Sequence, residues 1–187
     1  MAKIYDIVKY GSPVLREKAS PIESVTDKIR TLARDMFATM KEAKGVGLAA
    51  QQIGLTKAIC VVEIPKEYDC EEEGGPRLNR DDMLKVALIN PRIVEASEET
   101  WKMSEGCLSF PDINGSVERP WSVTIEYTDL QGKPRRETVH GFLARACQHE
   151  IDHLGGTVFI DRMSYARRFS LKGKLKRLKD ATETSLQ

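Results

Sequence analysis

Apolar residues recur every three and four positions near the start of the chain. Ile29, Leu32, Ala33, Met36, Phe37 and Met40 form one stripe, which predicts an amphipathic helix over residues 24–43 with Met and Phe as core. Ser24 and Asp27 offer its N-terminal cap and Gly45 its end. Beyond GVGLAAQQIG the spacing changes, and residues 58–64 (AICVVEI), 86–90, 116–119, 122–127 and 135–140 read as strands. SVTIEY and RRETVH, joined by TDLQGKP, predict a hairpin with Gly132 and Pro134 in its turn. Residues 66–85 are acidic, broken by Gly and Pro and without period, which predicts a surface loop whose charges serve solvation. Residues 142–154 are apolar enough for a buried helix closed by Gly155 and Gly156. Residues 164–180 set Leu171, Leu175 and Leu178 among Lys and Arg, predicting a basic amphipathic helix. The expected fold class is α+β, mostly antiparallel strands around a central helix, with a further helix at the C-terminus.

At 187 residues and 41% hydrophobic content the chain suits one buried core. We therefore expect a single catalytic domain over residues 1–187, its last part, 164–187, being the basic helix and tail. Lys plus Arg number 29 against 28 Asp plus Glu, so the whole chain carries no electrostatic footprint for DNA or an anionic bilayer. No apolar run approaches the roughly 20 residues of a spanning helix, and the first residues lack the apolar stretch of a secretion signal. Cys60, Cys70, Cys107 and Cys147 are far apart and form no CxxC pair, which fits a reducing cytoplasm.

His149-Glu150-Ile151-Asp152-His153 has the HExxH spacing. Residues i and i+4 share a helix face, so two imidazoles can reach one metal ion while the intervening Glu approaches the attacking water. With three His in the chain, a chance pair at this spacing followed by Glu is improbable, and buried helices seldom spend ionisable residues idly. Two His need a further protein ligand. The extended downstream pattern would place a third His at position 159, which is Phe159, and Glu183 lies in a polar tail. Upstream, Cys107 in EGCLSFP is flanked by Gly and followed by a Pro-broken stretch, so it sits on a turn and offers a thiolate. Cys147 lies about 200° around the helix from His149 and cannot share its metal. In GVGLAAQQ the nucleotide-binding glycine pattern is incomplete; its small residues instead allow close approach of a substrate backbone, and Gln52 supplies an amide donor.

Taken in order, GVGLAAQQ, EGCLS and HEIDH resemble the three signature motifs of the peptide deformylase family, GxGLAAxQ, EGCLS and HExDH. The resemblance spans about residues 7–178. It implies that Cys107, His149 and His153 hold one divalent metal ion, natively Fe²⁺, with Zn²⁺, Ni²⁺ or Co²⁺ able to replace it. It also implies that Glu150 is the general base, and that Gln52 and the backbone N–H of Leu108 stabilise the developing oxyanion. The substrate would be the N-formylmethionyl end of nascent peptides, with formate as a product. Val46, Gly47 and Gly106 would pair with the peptide backbone, and Val46, Met103, Phe142 and Ala146 would form the methionine pocket. Glu105 and Arg119 would brace the Cys107 turn.

The sequence departs from the family pattern at Gln51, at Arg145, where the pocket wall is usually apolar, and in the long acidic loop. Two other functions compete. An HExxH metalloendoprotease lacks its downstream ligand here, and a catalytically inactive module docking on ribosomes through the basic C-terminal helix would not require Glu150. For that helix two readings stand, docking on ribosomal RNA and packing of its Leu residues on the domain.

Overall fold

Strand β2, the sequence ICVVE, is apolar at consecutive positions because both of its faces are covered. It belongs to a computed structural model that describes residues 2–72 and 74–186, so positions 1, 73 and 187 of the expected unit lie outside the described residues. In chain order the elements are α1 (Asp27–Glu42), β1 (Gly47–Ala49), β2 (Ile59–Glu63), β3 (Lys85–Ala96) and β4 (Thr100–Gly106). There follow β5 (Asn114–Pro120), β6 (Ser122–Thr128), β7 (Pro134–His140), α2 (Gly141–Leu154), α3 (Tyr165–Ser170) and α4 (Lys172–Ser185).

Five strands form an antiparallel sheet in the order β1-β2-β3-β6-β7, and β4 pairs with β5 in a separate two-stranded sheet. Alternation along β2 decides what lies on each side. Ile59 and Val61 join Ile29, Leu32, Met36 and Met40 of α1. Cys60 and Val62 join Leu143, Ala144 and Cys147 of α2, with Val123 and Ile125 of β6. A third cluster of Phe110, Ile113, Val117, Phe159 and Leu175 lies under the small sheet. The class is α+β, with α2 central and nearly all of its residues buried. Among the described residues no helix is long and apolar enough to cross a membrane.

Several boundaries differ from the sequence reading, each for a local reason. Helix α1 starts later, with Thr26 as N-cap and no side-chain cap bond; the Asp27 carboxylate accepts from Arg30 instead. At its end Lys44 takes the left-handed conformation, with φ 57°, while Gly45 lies against the Leu108 side chain. Strand β4 carries no strand pattern in the sequence, because TWKMSEG is polar at most positions and pairs with a single partner. Strand β3 runs past Asn90, whose φ of 50° accompanies a register shift against β6. The basic C-terminal segment is two helices meeting at Leu171, and the second continues to Ser185.

The acidic loop is more than solvated surface. Asp69 is 1% exposed and accepts from Asn79 and Arg77, while Asn79 exchanges hydrogen bonds with the backbone of His140 at the start of α2. Its Tyr68 ring meets Phe142 edge-on at 5.6 Å between centroids. The missing period in the sequence reflects a loop built on side-chain hydrogen bonds, which leave no hydrophobic pattern to read.

Candidate metal centre and active site

Helix α2 turns Arg145, His149 and His153 to one side, because residues four apart share a face. Opposite them, β4 delivers Glu105 and Gly106 to the turn that starts at Cys107, closed by a hydrogen bond from Phe110 N to Cys107 O at 2.8 Å. One ligand atom from each of Cys107, His149 and His153 lies within 4.8 Å of the others, so the predicted trio converges. The Cys107 Sγ stands 3.3 Å from His153 Nε2. Phe159, at the downstream position where a third His would fall, packs in the core and stacks on His149 at 6.1 Å between ring centroids. Cys147 is buried on the sheet side of α2, and burial pushes its thiol up to about 12, so it presents no thiolate near neutral pH.

The ring of His149 is oriented from behind. Its Nδ1 faces Glu105 Oε2 at 3.1 Å, which leaves Nε2 for the centre. Glu105 also accepts from Arg119 Nε at 2.7 Å, from Arg119 Nη2 at 3.0 Å and from Arg145 Nη1 at 2.5 Å, so its lone pairs are fully used. Burial alone would raise the Glu105 carboxyl, but the bonds from His149 and Arg119 outweigh it and hold the group well below the usual carboxylate range. Arg119 reaches on to Asp152 at 2.9 Å, within the HEIDH motif itself. The Glu105–Arg119 pair is therefore buried, with side chains 5% and 4% exposed, and not a surface pairing. Arg145, read from sequence as a departure in the pocket wall, is drawn into the same network and also donates to the carbonyls of Val117 and Trp101.

Gln52 lies in the short helical turn after β1, Ala50–Ile53. Its Oε1 accepts from Ala49 N at 2.8 Å, which fixes the amide so that Nε2 points at Cys107 Sγ, 3.4 Å away. Glu150 lies beside the trio, 4% exposed, and its Oε2 has no hydrogen-bond partner. Burial raises its carboxyl to about 7. A side chain at position 47 would collide with that carboxylate, so Gly47 is what lets β1 pass this close. A cavity of about 560 Å³ opens onto these groups, lined among others by Val46, Gly47, Gly106, Leu108, Phe142 and Ala146. Met103 is not among the lining residues; on β4 it pairs with Val117, and Ser104 and Glu105 face the cavity instead.

These donors fit a divalent cation. A thiol and two imidazoles are a soft-to-borderline set with room for a further ligand. Burial keeps His153 neutral, its ligating form; at His149 the bonds to Cys107 and Glu105 outweigh burial and favour the protonated ring, whose proton a bound metal ion would displace. Glu150 lines the same cavity, and its Oε2 has no partner. Together they form an acid–base site beside β1, the end strand of its sheet, suited to hydrolysis of a substrate that pairs along that edge.

Known proteins resemble this chain in sequence and in fold. The family pattern described as Polypeptide deformylase matches residues 4–169. A peptide deformylase of Opitutus terrae is 41% identical over 182 residues, which cover 96% of this chain and 95% of the relative. One from Rhizobium meliloti is 45% identical over 165 residues, 88% of each chain. The crystal structure of peptide deformylase from Ehrlichia chaffeensis superposes with a TM-score of 0.83 at 36% identity, covering 99% of this chain and all of that one. By sequence and by fold, the chain belongs to the polypeptide deformylase family.

Proposed function

We propose that this chain removes the formyl group from the N-terminal formyl-methionine of newly made polypeptides and releases formate, residues 1–187 acting as one catalytic unit in the cytoplasm. The observation that carries the reading is the orphaned Glu150 carboxylate beside the Cys107, His149 and His153 donors, with the Gln52 amide aimed at the same point. Cys107, His149 and His153 would hold the metal, which supplies Lewis acidity toward the formyl oxygen and makes water a better nucleophile. The donor set suits Fe²⁺ and equally admits Zn²⁺, Ni²⁺ or Co²⁺.

Glu150 takes the proton of the attacking water and returns it to the departing amine, a role its raised pKa suits. Gln52 Nε2 and the Leu108 N–H donate to the formyl oxygen as it gains charge. Because β1 is the end strand of its sheet, the peptide backbone can add alongside Val46 and Gly47, with Gly106 across the cleft. Phe142, Ala146 and Val46 then receive the methionine side chain. Backbone pairing makes recognition tolerant of the residues that follow.

The test is formate release from formyl-Met-Ala-Ser by anaerobically purified protein. Turnover of the formyl peptide without cleavage of N-acetylated peptides at internal bonds is the expected result; internal cleavage would replace this reading by an endoprotease. We further propose that the basic C-terminal helices dock on ribosomal RNA, as Lys172, Lys174, Lys176 and Arg177 suggest. Leu175 is 7% exposed in the cluster that holds Phe110, so truncation would disturb the Cys107 turn. Charge reversal of Lys174, Lys176 and Arg177 is the cleaner probe. It should weaken salt-sensitive co-sedimentation with ribosomes about tenfold or more while leaving turnover of short peptides unchanged. Unchanged co-sedimentation at low salt would leave α4 a packing element only.

A further inference from the structure

Residues 8–10 belong to no helix or strand, yet they touch both groups that would face the oxyanion. Val8 N donates to the Gln52 carbonyl at 2.8 Å, and Tyr10 N donates to the Ser109 carbonyl at 2.9 Å. Between them the Lys9 ammonium donates to the Leu108 carbonyl at 2.9 Å, and Lys9 also lines the cavity. The Tyr10 ring stacks on Phe110 at 4.7 Å between centroids. The segment is thus a strap laid across the two loops that carry Gln52 and Cys107.

Leu108 is held from three directions. Its side chain lies on Gly45, where an added Cβ would stand 2.7 Å from Leu108 Cδ1. The turn that contains it is closed by Phe110 N on Cys107 O at 2.8 Å. Its own carbonyl is held by Lys9, through a charged donor on a flexible stem, and such bonds are stronger than neutral ones. That carbonyl and the N–H of the Cys107–Leu108 peptide belong to the same residue, in adjacent peptide units, so fixing the one limits rotation of the other.

We propose that Lys9 is a positioning residue for the deformylation reaction, holding the Leu108 backbone so that its N–H stays aimed at the developing oxyanion. The inference rests on the function proposed above, and it assigns to the N-terminal strap a part in the chemistry that none of the three sequence motifs carries.

The experiment is Lys9→Met, which keeps the apolar stem and removes the donor, with Lys9→Arg as the conservative variant. Losing an oxyanion donor outright costs about 10²- to 10³-fold in turnover, so loosening one should cost about tenfold. We expect Lys9→Met to lower kcat for formyl-Met-Ala-Ser about tenfold with KM within about twofold, and Lys9→Arg to restore most of it. Hydrogen exchange on the whole protein gives a second readout, with faster exchange at the Phe110 and Tyr10 amides in Lys9→Met. Wild-type kcat in Lys9→Met overturns the proposal, as does a loss that appears in KM or metal content instead. A wild-type protein that releases no formate would count against the deformylase reading, whereas unchanged amide exchange would count against the strap alone.

Discussion

Replacing Glu150 by Gln is expected to lower formate release by about 10³- to 10⁴-fold, the upper range for a lost acid–base group, while the protein still binds its metal. Metal binding and proton transfer fall on different residues. Glu150 lies next to His149 in sequence but is absent from the Cys107, His149 and His153 cluster, and its Oε2 has no bond that a carboxamide would break. Gln matches its volume, so β1 still passes at Gly47 without a clash. What disappears is the ability to take a proton from water and give it to the amine. Burial holds the carboxyl near 7, where it exchanges protons readily at neutral pH, and an amide has no such equilibrium. Formate assays paired with metal analysis of the same preparation decide the matter. Activity within tenfold of wild type would remove Glu150 as the proton carrier, and loss of metal would make it a ligand or a support.

The sequence makes the ligand set legible because helical spacing is rigid. His149 and His153 had to share a face of α2, and Cys107 had to sit outside regular structure between its Gly and the Pro that follows. What holds these groups in place was less visible. Glu105 and Arg119 are 14 residues apart and meet because β4 pairs with β5 in a register that local pattern does not encode. Arg145 reads as an anomaly in an apolar wall until the fold places Glu105 beside it. Asp152 stood inside the motif without an assigned task, although its place three residues after His149 on α2 could have marked it as facing the same network. Lys9 has no local signal, since its partner is 99 residues away. Spacing within one element is readable from the residues themselves; the Glu105–Arg119 brace was legible only through the resemblance to the family, and the Lys9 contact not at all.

Glu105→Gln is expected to cost about 3–5 kcal/mol of stability, the range for leaving one partner of a buried ion pair uncompensated. The carboxylate is 6% exposed and accepts from two guanidinium groups and one imidazole. Arg119 would keep Asp152 at 2.9 Å, so most of the cost falls on Arg145, whose remaining partners are the neutral carbonyls of Val117 and Trp101. At the same time His149 would lose the charged acceptor of its Nδ1–H, which lowers metal affinity by about 10- to 100-fold in comparable sites. Two measurements separate these effects: denaturant unfolding of the metal-free protein, and competition of the folded protein with a chelator. If the penalty comes from an unpaired buried charge, the double variant Glu105→Gln with Arg145→Met should recover part of the stability but none of the metal affinity. A single variant that unfolds within about 1 kcal/mol of wild type would mean that water reaches Arg145 and that the network is not closed as described.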